Sequence, residues 1–278
     1  MSETSPDYAF PRFLKFWRGV HSLSQEELAH RLDSSPRHIS RLENGNGRPS
    51  EALVLDIAKV MNLGKRDSNH LLLSAGYAVI EEKISFHDPQ MKWLRKAMTM
   101  TLKSLDPYPA VLLDSSANIL MVNKGWVGFF STIVPKDVLD NVTNHYDFLF
   151  SRQGAGKNMS AREDTLSVIL MSLKQIALFD DDPDGYTRQA ALEAHPNAPA
   201  DWQQRGAKLE PMASFRVQAE INGVLRYFFN ISSAVGAIGP AAYVSEPQLS
   251  VSTLYPEDED IDLSPLISKP LQHPLLLY

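Results

Sequence analysis

The chain contains no cysteine. That excludes disulfides, thiolate zinc sites, iron–sulfur clusters and cysteine nucleophiles, and makes a reducing compartment, the cytoplasm, the expected home. No stretch approaches the roughly 20 apolar residues of a spanning helix, and the opening MSETSPDYAF lacks the basic patch and apolar run of an export signal. Neither export nor a membrane partner is expected. There is no G-x-S-x-G elbow, phosphate-binding glycine loop, dinucleotide fingerprint or deaminase signature. None of the 8 histidines is spaced to put two ligands on one helical turn. The expectation is therefore no cofactor, no metal and no enzyme; catalysis would require a site assembled wholly by long-range contacts, for instance from Asp114, His145 and Glu220. Asp180, Asp182 and Asp184 begin like a calcium loop, but Ala191 stands where the chelating Glu belongs. These acids instead suit the start of a helix after Pro183, with Asp182 as its cap.

What is present is an ordinary globular composition of 278 residues, 44% hydrophobic and 22% charged, enough for two domains. The net charge of -6 is unevenly divided. Residues 9–76 hold ten Lys and Arg against seven Asp and Glu, whereas residues 77–278 hold 17 against 24. A mildly basic amino-terminal piece joined to an acidic body fits a DNA-binding module with a separate second domain.

Residues 9–76 read as five short helices. Phe13, Phe16, Trp17 and Val20 recur at helical spacing, and Ser24 with Glu27 forms a capping box. Leu28, Ala29 and Leu32 continue that helix, and Asp33-Ser34 breaks it. Ser35-Pro36 starts another, with Ile39 and Leu42 inward and a stop near Asn44-Gly45. Ser50 caps a fourth and Asp67–Ala75 forms a fifth. Residues 77–105 are a linker and connecting helix, with Met91, Leu94, Met98 and Leu102 on one face. In residues 106–255, apolar runs at 110–114 and 118–123 suggest a hairpin. Helical patterns follow at 124–132, 162–179, 186–194 and 200–205. Strands return at 215–221 and 225–231 around Asn222-Gly223, with a last one near 248–254. That order predicts an antiparallel α+β domain with one sheet face covered by helices. The acidic, proline-rich tail 256–278 is expected to be extended or disordered.

The run LSQEELAHRLDSSPRHISRLENGNGRPS, Leu23 to Ser50, is a helix, a tight turn and a second helix, and it resembles the bacterial XRE-type helix-turn-helix family. Asp33 replaces the usual turn glycine, a position Asp tolerates in the left-handed region. The resemblance implies a lambda-repressor-like fold in which the second helix enters the major groove of double-stranded DNA. It further implies that Gln25 contacts a phosphate or base edge and that Ser35, Arg37, His38, Ser40 and Arg41 face the groove or backbone. Pairing of Arg41 with Glu43 or another acid on the module surface is the alternative.

With RDSNHLLLSAGYAV at 66–79 and DPYPAVLLDSSANILMVNKGW at 106–126, the chain resembles the MmyB-like branch of these regulators over residues 9 to about 255. This implies a PAS-like carboxy-terminal domain that accepts a small apolar molecule such as a fatty acid. Candidate contacts are Asn123, Trp126, Phe130, Leu166, Leu170, Phe215 and Phe228. Ordinary core packing is the alternative for each apolar residue, and a backbone partner is the alternative for Asn123. The expected function is a sequence-specific DNA-binding regulator, a homodimer on a palindromic operator, whose second domain senses a ligand. The alternative is a second domain that serves protein interaction or dimerisation without a ligand.

Overall fold

The computed structural model describes residues 9–78, 85–159, 161–180, 183–209, 216–221, 223–236 and 248–278. The described residues 9–78 form one compact unit, and those within Ile84–Val235 and Pro247–Tyr278 a second.

The first unit is five helices, α1 (Phe10–Val20), α2 (Gln25–Arg31), α3 (Pro36–Glu43), α4 (Glu51–Val60) and α5 (Lys65–Ser74). Local chemistry sets their starts. Ser24 Oγ accepts from the Glu27 amide while Glu27 accepts from the Ser24 amide, and Ser35 and Ser50 cap α3 and α4. Asp33 takes φ 49° in the turn between α2 and α3, and Gly45 takes φ 71° after α3. Leu14, Leu28, Ile39, Leu42, Val54, Ile57 and Leu71 are fully buried in one core. The apolar residues of α1 do not all share a face: Phe10 and Leu14 point inward, whereas Phe16 and Val20 are exposed.

The second unit contains α6 (Lys92–Ser104), β1 (Ala110–Asp114), β2 (Ile119–Val122), α7 (Lys124–Phe130), α8 (Lys136–Asp140) and α9 (His145–Phe150). It continues with α10 (Arg162–Asp180), α11 (Pro183–Glu193), α12 (Trp202–Gly206), β3 (Arg216–Ile221), β4 (Val224–Val235) and β5 (Leu249–Pro256). The strands make one antiparallel sheet in the order β2-β1-β5-β4-β3, with Val111 opposite Val122, Ala110 opposite Thr253 and Val217 opposite Phe228. This is the five-stranded α+β arrangement expected of a PAS-like domain. Gly223 takes φ 75° between β3 and β4; Asn222 lies outside the described residues, as does Asp182 before α11. Of the Asp180 and Asp184 side chains, likewise, nothing is described.

Two expectations are corrected. The sheet's second face is also covered, but only over β2, β1 and β5; Ser232, Ser233 and Ala234 of β4 are exposed. Val111, Leu113 and Val122 join Trp126, Phe129 and Leu170 in the main core, while Ala110, Leu112 and Met121 meet Met98 and Leu102 of α6 on the other side. The amphipathic face of the connecting helix thereby finds its partner, and β1 has no solvent face among its first four residues. The tail, too, is folded. Leu263, Leu266 and His273 are buried, the Val122 amide donates to Leu275 O at 3.0 Å, and Tyr278 Oη donates to Asp106 at 2.7 Å. Its prolines limit it to a short 3₁₀ turn at Ser264–Ile267, and its leucines anchor it. Closeness is enforced at Gly128, where a Cβ would overlap the Leu266 carbonyl oxygen.

Candidate DNA-reading surface and ligand cavity

The turn at Asp33 and the cap at Ser35 set the angle at which α3 leaves α2, and Ile39 and Leu42 anchor its inner face. The outer face then carries Arg37, His38 and Arg41, all exposed. Ser35 Oγ accepts from the His38 amide at 3.2 Å, and half-buried Ser40 accepts from Asn44 at 3.3 Å. Arg41 donates to Asn46 O at 3.1 Å and makes no pair with Glu43, whose side chain is 4% exposed and already occupied. Arg18 donates to both Glu43 oxygens at 2.6 and 3.2 Å, and Gln25 Nε2 donates at 2.7 Å. Burial alone pushes the Glu43 carboxyl up, but the bonds from Arg18 and Gln25 and the charges of Arg18 and Lys15 outweigh it and hold it below its ordinary value. Gln25 therefore ties α2 to the end of α3, a partner that no local spacing signals.

In the second unit a small apolar cavity with an open mouth lies between the sheet and α7 and α9. Pro109, Val111, Trp126, Phe130, Leu149, Ala155, Met159, Val217 and Leu254 give it apolar walls, and His145, Asn230 and Ser252 are its other lining residues. Trp126 packs on Phe130 and Phe148 with ring centroids 4.9 and 5.8 Å apart. Apolar walls with a few polar groups are the ordinary makeup of a small-molecule site.

A family model described as MmyB-like transcription regulator ligand binding domain matches residues 94–262. The chain belongs to the MmyB-like transcription regulators. A helix-turn-helix model matches residues 15–67 of this MmyB-like chain. An uncharacterized HTH-type transcriptional regulator of Methanocaldococcus jannaschii is 39% identical over 54 residues, which are 19% of this chain and 82% of that protein. The two matches make this an XRE/MmyB-type architecture: a DNA-binding regulator with a ligand-binding second domain. Both matched modules are regulatory rather than catalytic. Among the described residues no group of His, Asp and Glu is arranged to hold a metal, and no helix is long and apolar enough to cross a membrane.

Of the candidate ligand contacts in this MmyB-like domain, Trp126 and Phe130 line the cavity. Leu166, Leu170 and Phe228 are fully buried in the same core without lining it, and Phe215 lies outside the described residues. Asn123 takes the backbone alternative. It is wholly buried, its Oδ1 accepts from the Ala110 and Trp126 amides at 2.9 and 2.8 Å, and its Nδ2 donates to Tyr108 O and Leu102 O at 2.8 and 3.3 Å. Its amide is fully engaged in joining α6, β1 and α7. Asp114, considered as a catalytic acid, closes the β1–β2 turn by accepting from the Ser116 and Asn118 amides. Sequence reasoning missed Met159 and Leu254, which alternation cannot single out, and treated His145 only as a remote catalytic candidate.

Proposed function

We propose that this chain is a sequence-specific regulator that binds a palindromic operator as a homodimer in the cytoplasm and responds to a small apolar, fatty-acid-like ligand. Residues 9–76 read DNA, 77–105 connect, 106–255 hold the ligand, and 256–278 form the acidic, proline-rich tail. The observation that carries the ligand half is the apolar cavity walled by Trp126 and Phe130 inside a domain whose family is defined by ligand binding. The DNA half is supported by the exposed Arg37, His38 and Arg41 on a capped second helix. One recognition helix reads only a few base pairs, so two-fold pairing supplies affinity. The ligand shifts the equilibrium between arrangements of the two heads by its differential binding free energy.

The test is native mass spectrometry of the full chain followed by operator selection. The expected outcome is an apolar molecule at one per subunit and footprints on half-sites about 34 Å apart. Arg37→Ala is expected to cost about 1 to 3 kcal/mol and to relax preference at one base position. Unchanged binding by a combined Arg37→Ala and Arg41→Ala variant would refute the assigned surface. A bare protein whose operator binding ignores every apolar additive would instead assign the second domain to protein interaction.

A further inference from the structure

Helix α6 spends its apolar side on the sheet, where Met98 and Leu102 are buried beside Ala110, Leu112 and Met121. What it turns outward is cationic. Lys92, Lys96 and Lys103 are exposed and recur at steps of four and seven residues, which puts them on one stripe about 16 Å long. Trp93 and Met100 make the neighbouring stripe, 71% and 64% exposed. The run Lys92–Ser104 holds four Lys and Arg and no Asp or Glu, inside residues 77–278 where 24 acids outnumber 17 bases.

These ammonium groups lack counter-charges. Arg95 is taken by Phe86 O and Asp88 O, at 2.6 Å each. Among the described residues Lys92, Lys96 and Lys103 form no ion pair and meet aromatic rings instead. Lys92 and Lys96 Nζ lie 5.8 and 5.6 Å from the Trp93 ring centroid, and Lys103 and Lys124 gather on Tyr278 at 5.9 and 5.8 Å. Asp88 and Asp106 bracket the helix but are engaged elsewhere. Asp88 accepts from the Gln90 amide, and Asp106 from Tyr278 Oη and the Gly125 amide. Two ammonium groups drawn to one ring repel each other, and an anion beside them offsets that cost.

The pattern selects the anion. A second copy docked by the same face would set lysines against lysines. A lipid surface needs a broad apolar face, which the sheet already occupies; only Trp93 and Met100 remain outside. A line of cations along a helix suits a phosphate backbone, and this chain is a DNA-binding regulator. Lys92 follows Ser74, the last residue of α5, by 18 residues, a stretch of at most about 65 Å, or about 20 base pairs of duplex. We propose that the outward stripe of α6 is a second DNA-contacting surface, on which Lys92, Lys96 and Lys103 pair with backbone phosphates and add affinity without sequence preference. Trp93 holds the first two ammonium groups together. This rests on the reading of residues 9–76 as the DNA-reading head.

The experiment titrates the full chain, across a salt series, with a duplex carrying its selected operator and about 20 flanking base pairs on each side. Joint replacement Lys92→Gln, Lys96→Gln and Lys103→Gln is expected to reduce the slope of log affinity against log salt by about 2 to 3 per subunit. It should weaken selected and random duplexes by the same factor, at least about tenfold. Acetylation footprinting reads the same surface without a substitution: in the wild type, DNA protects these three lysines and leaves the exposed Lys136 of α8 unchanged. An unchanged slope, or lysines that DNA leaves unprotected, overturns the proposal while α3 keeps its role. A blue shift of Trp93 emission on phosphatidylglycerol vesicles, with no response to DNA, overturns it and gives α6 to a lipid surface. A wild type that binds no duplex at all overturns the DNA-reading head and the proposal with it.

Discussion

Replacing Glu43 by Ala tests how the DNA-reading unit holds its second helix. The carboxylate is 4% exposed, accepts two bonds from Arg18 and one from Gln25, and so joins α1, α2 and α3 at one point. Its removal leaves a guanidinium that is 18% exposed without its partner. Loss of one member of a fully buried pair costs about 3 to 5 kcal/mol; partial solvation of Arg18 reduces this to about 2 kcal/mol. With a urea slope of about 1 kcal/mol/M for so small a unit, the midpoint should fall by about 2 M. Hydrogen exchange read peptide by peptide along a urea series separates residues 10–74 from the second unit. Glu43→Gln should fall between wild type and Glu43→Ala, because it keeps the contact and loses the charge. The reasoning is refuted if Glu43→Ala shifts the midpoint no more than Glu51→Ala, which removes an exposed acid from α4. Because its carboxyl is held low, Glu43 contributes stability present above the unfolded carboxyl value and lost as pH falls through the folded one.

Two other outcomes follow from the second unit. Asn123→Ala, which orphans the Ala110 and Trp126 amides and the Tyr108 carbonyl, should lower stability by about 3 kcal/mol without changing ligand binding by the cavity; a change in ligand affinity of the folded variant would return Asn123 to the ligand. His145 should make this unit acid-sensitive. Its folded value of about 4 lies below the ordinary 6.5, so the unfolded chain binds the proton first as pH falls. Stability is therefore full above about pH 6.5 and declines by up to about 3 kcal/mol toward pH 4. Thermal melts of wild type and His145→Gln across that window should diverge, and parallel curves would remove His145 as the cause.

What could be read in the chain followed the range of the interactions. Ser24, Ser35 and Ser50 bond within three residues of themselves, so the first unit's helix starts were visible without a structure. The alternation of β3 and the apolar runs of β1 and β2 gave strands in nearly the observed places. The single-turn helices α8 and α9 were not visible, since neither is long enough to show a period. The tail's destination was hidden because the partners of Leu275 and Tyr278 are Val122 and Asp106, far away in sequence. The cavity was half visible. Trp126 and Phe130 follow helical spacing into the core, whereas the other lining residues arrive by long-range contacts: Leu254 donates its amide to Pro109 O, Met159 bridges to Val217, and the His145 amide donates to Ala117 O.

Strand β1, interior to the sheet, also bears on how faithfully the domain assembles. Where one face of a strand is wet, a slip of one residue is punished by turning the apolar set outward. In β1 the residues Ala110, Val111, Leu112 and Leu113 are all buried, and a slipped strand would still present apolar side chains to both layers. Alternation cannot choose the alignment there. The choice passes to the hairpin's end, where Asp114 grips the Ser116 and Asn118 amides and the register shifts between Leu112 and Leu113. Asp114, which carries no chemistry, is thus the residue whose loss should be felt as misalignment: a family of near-native pairings rather than a simple loss of stability.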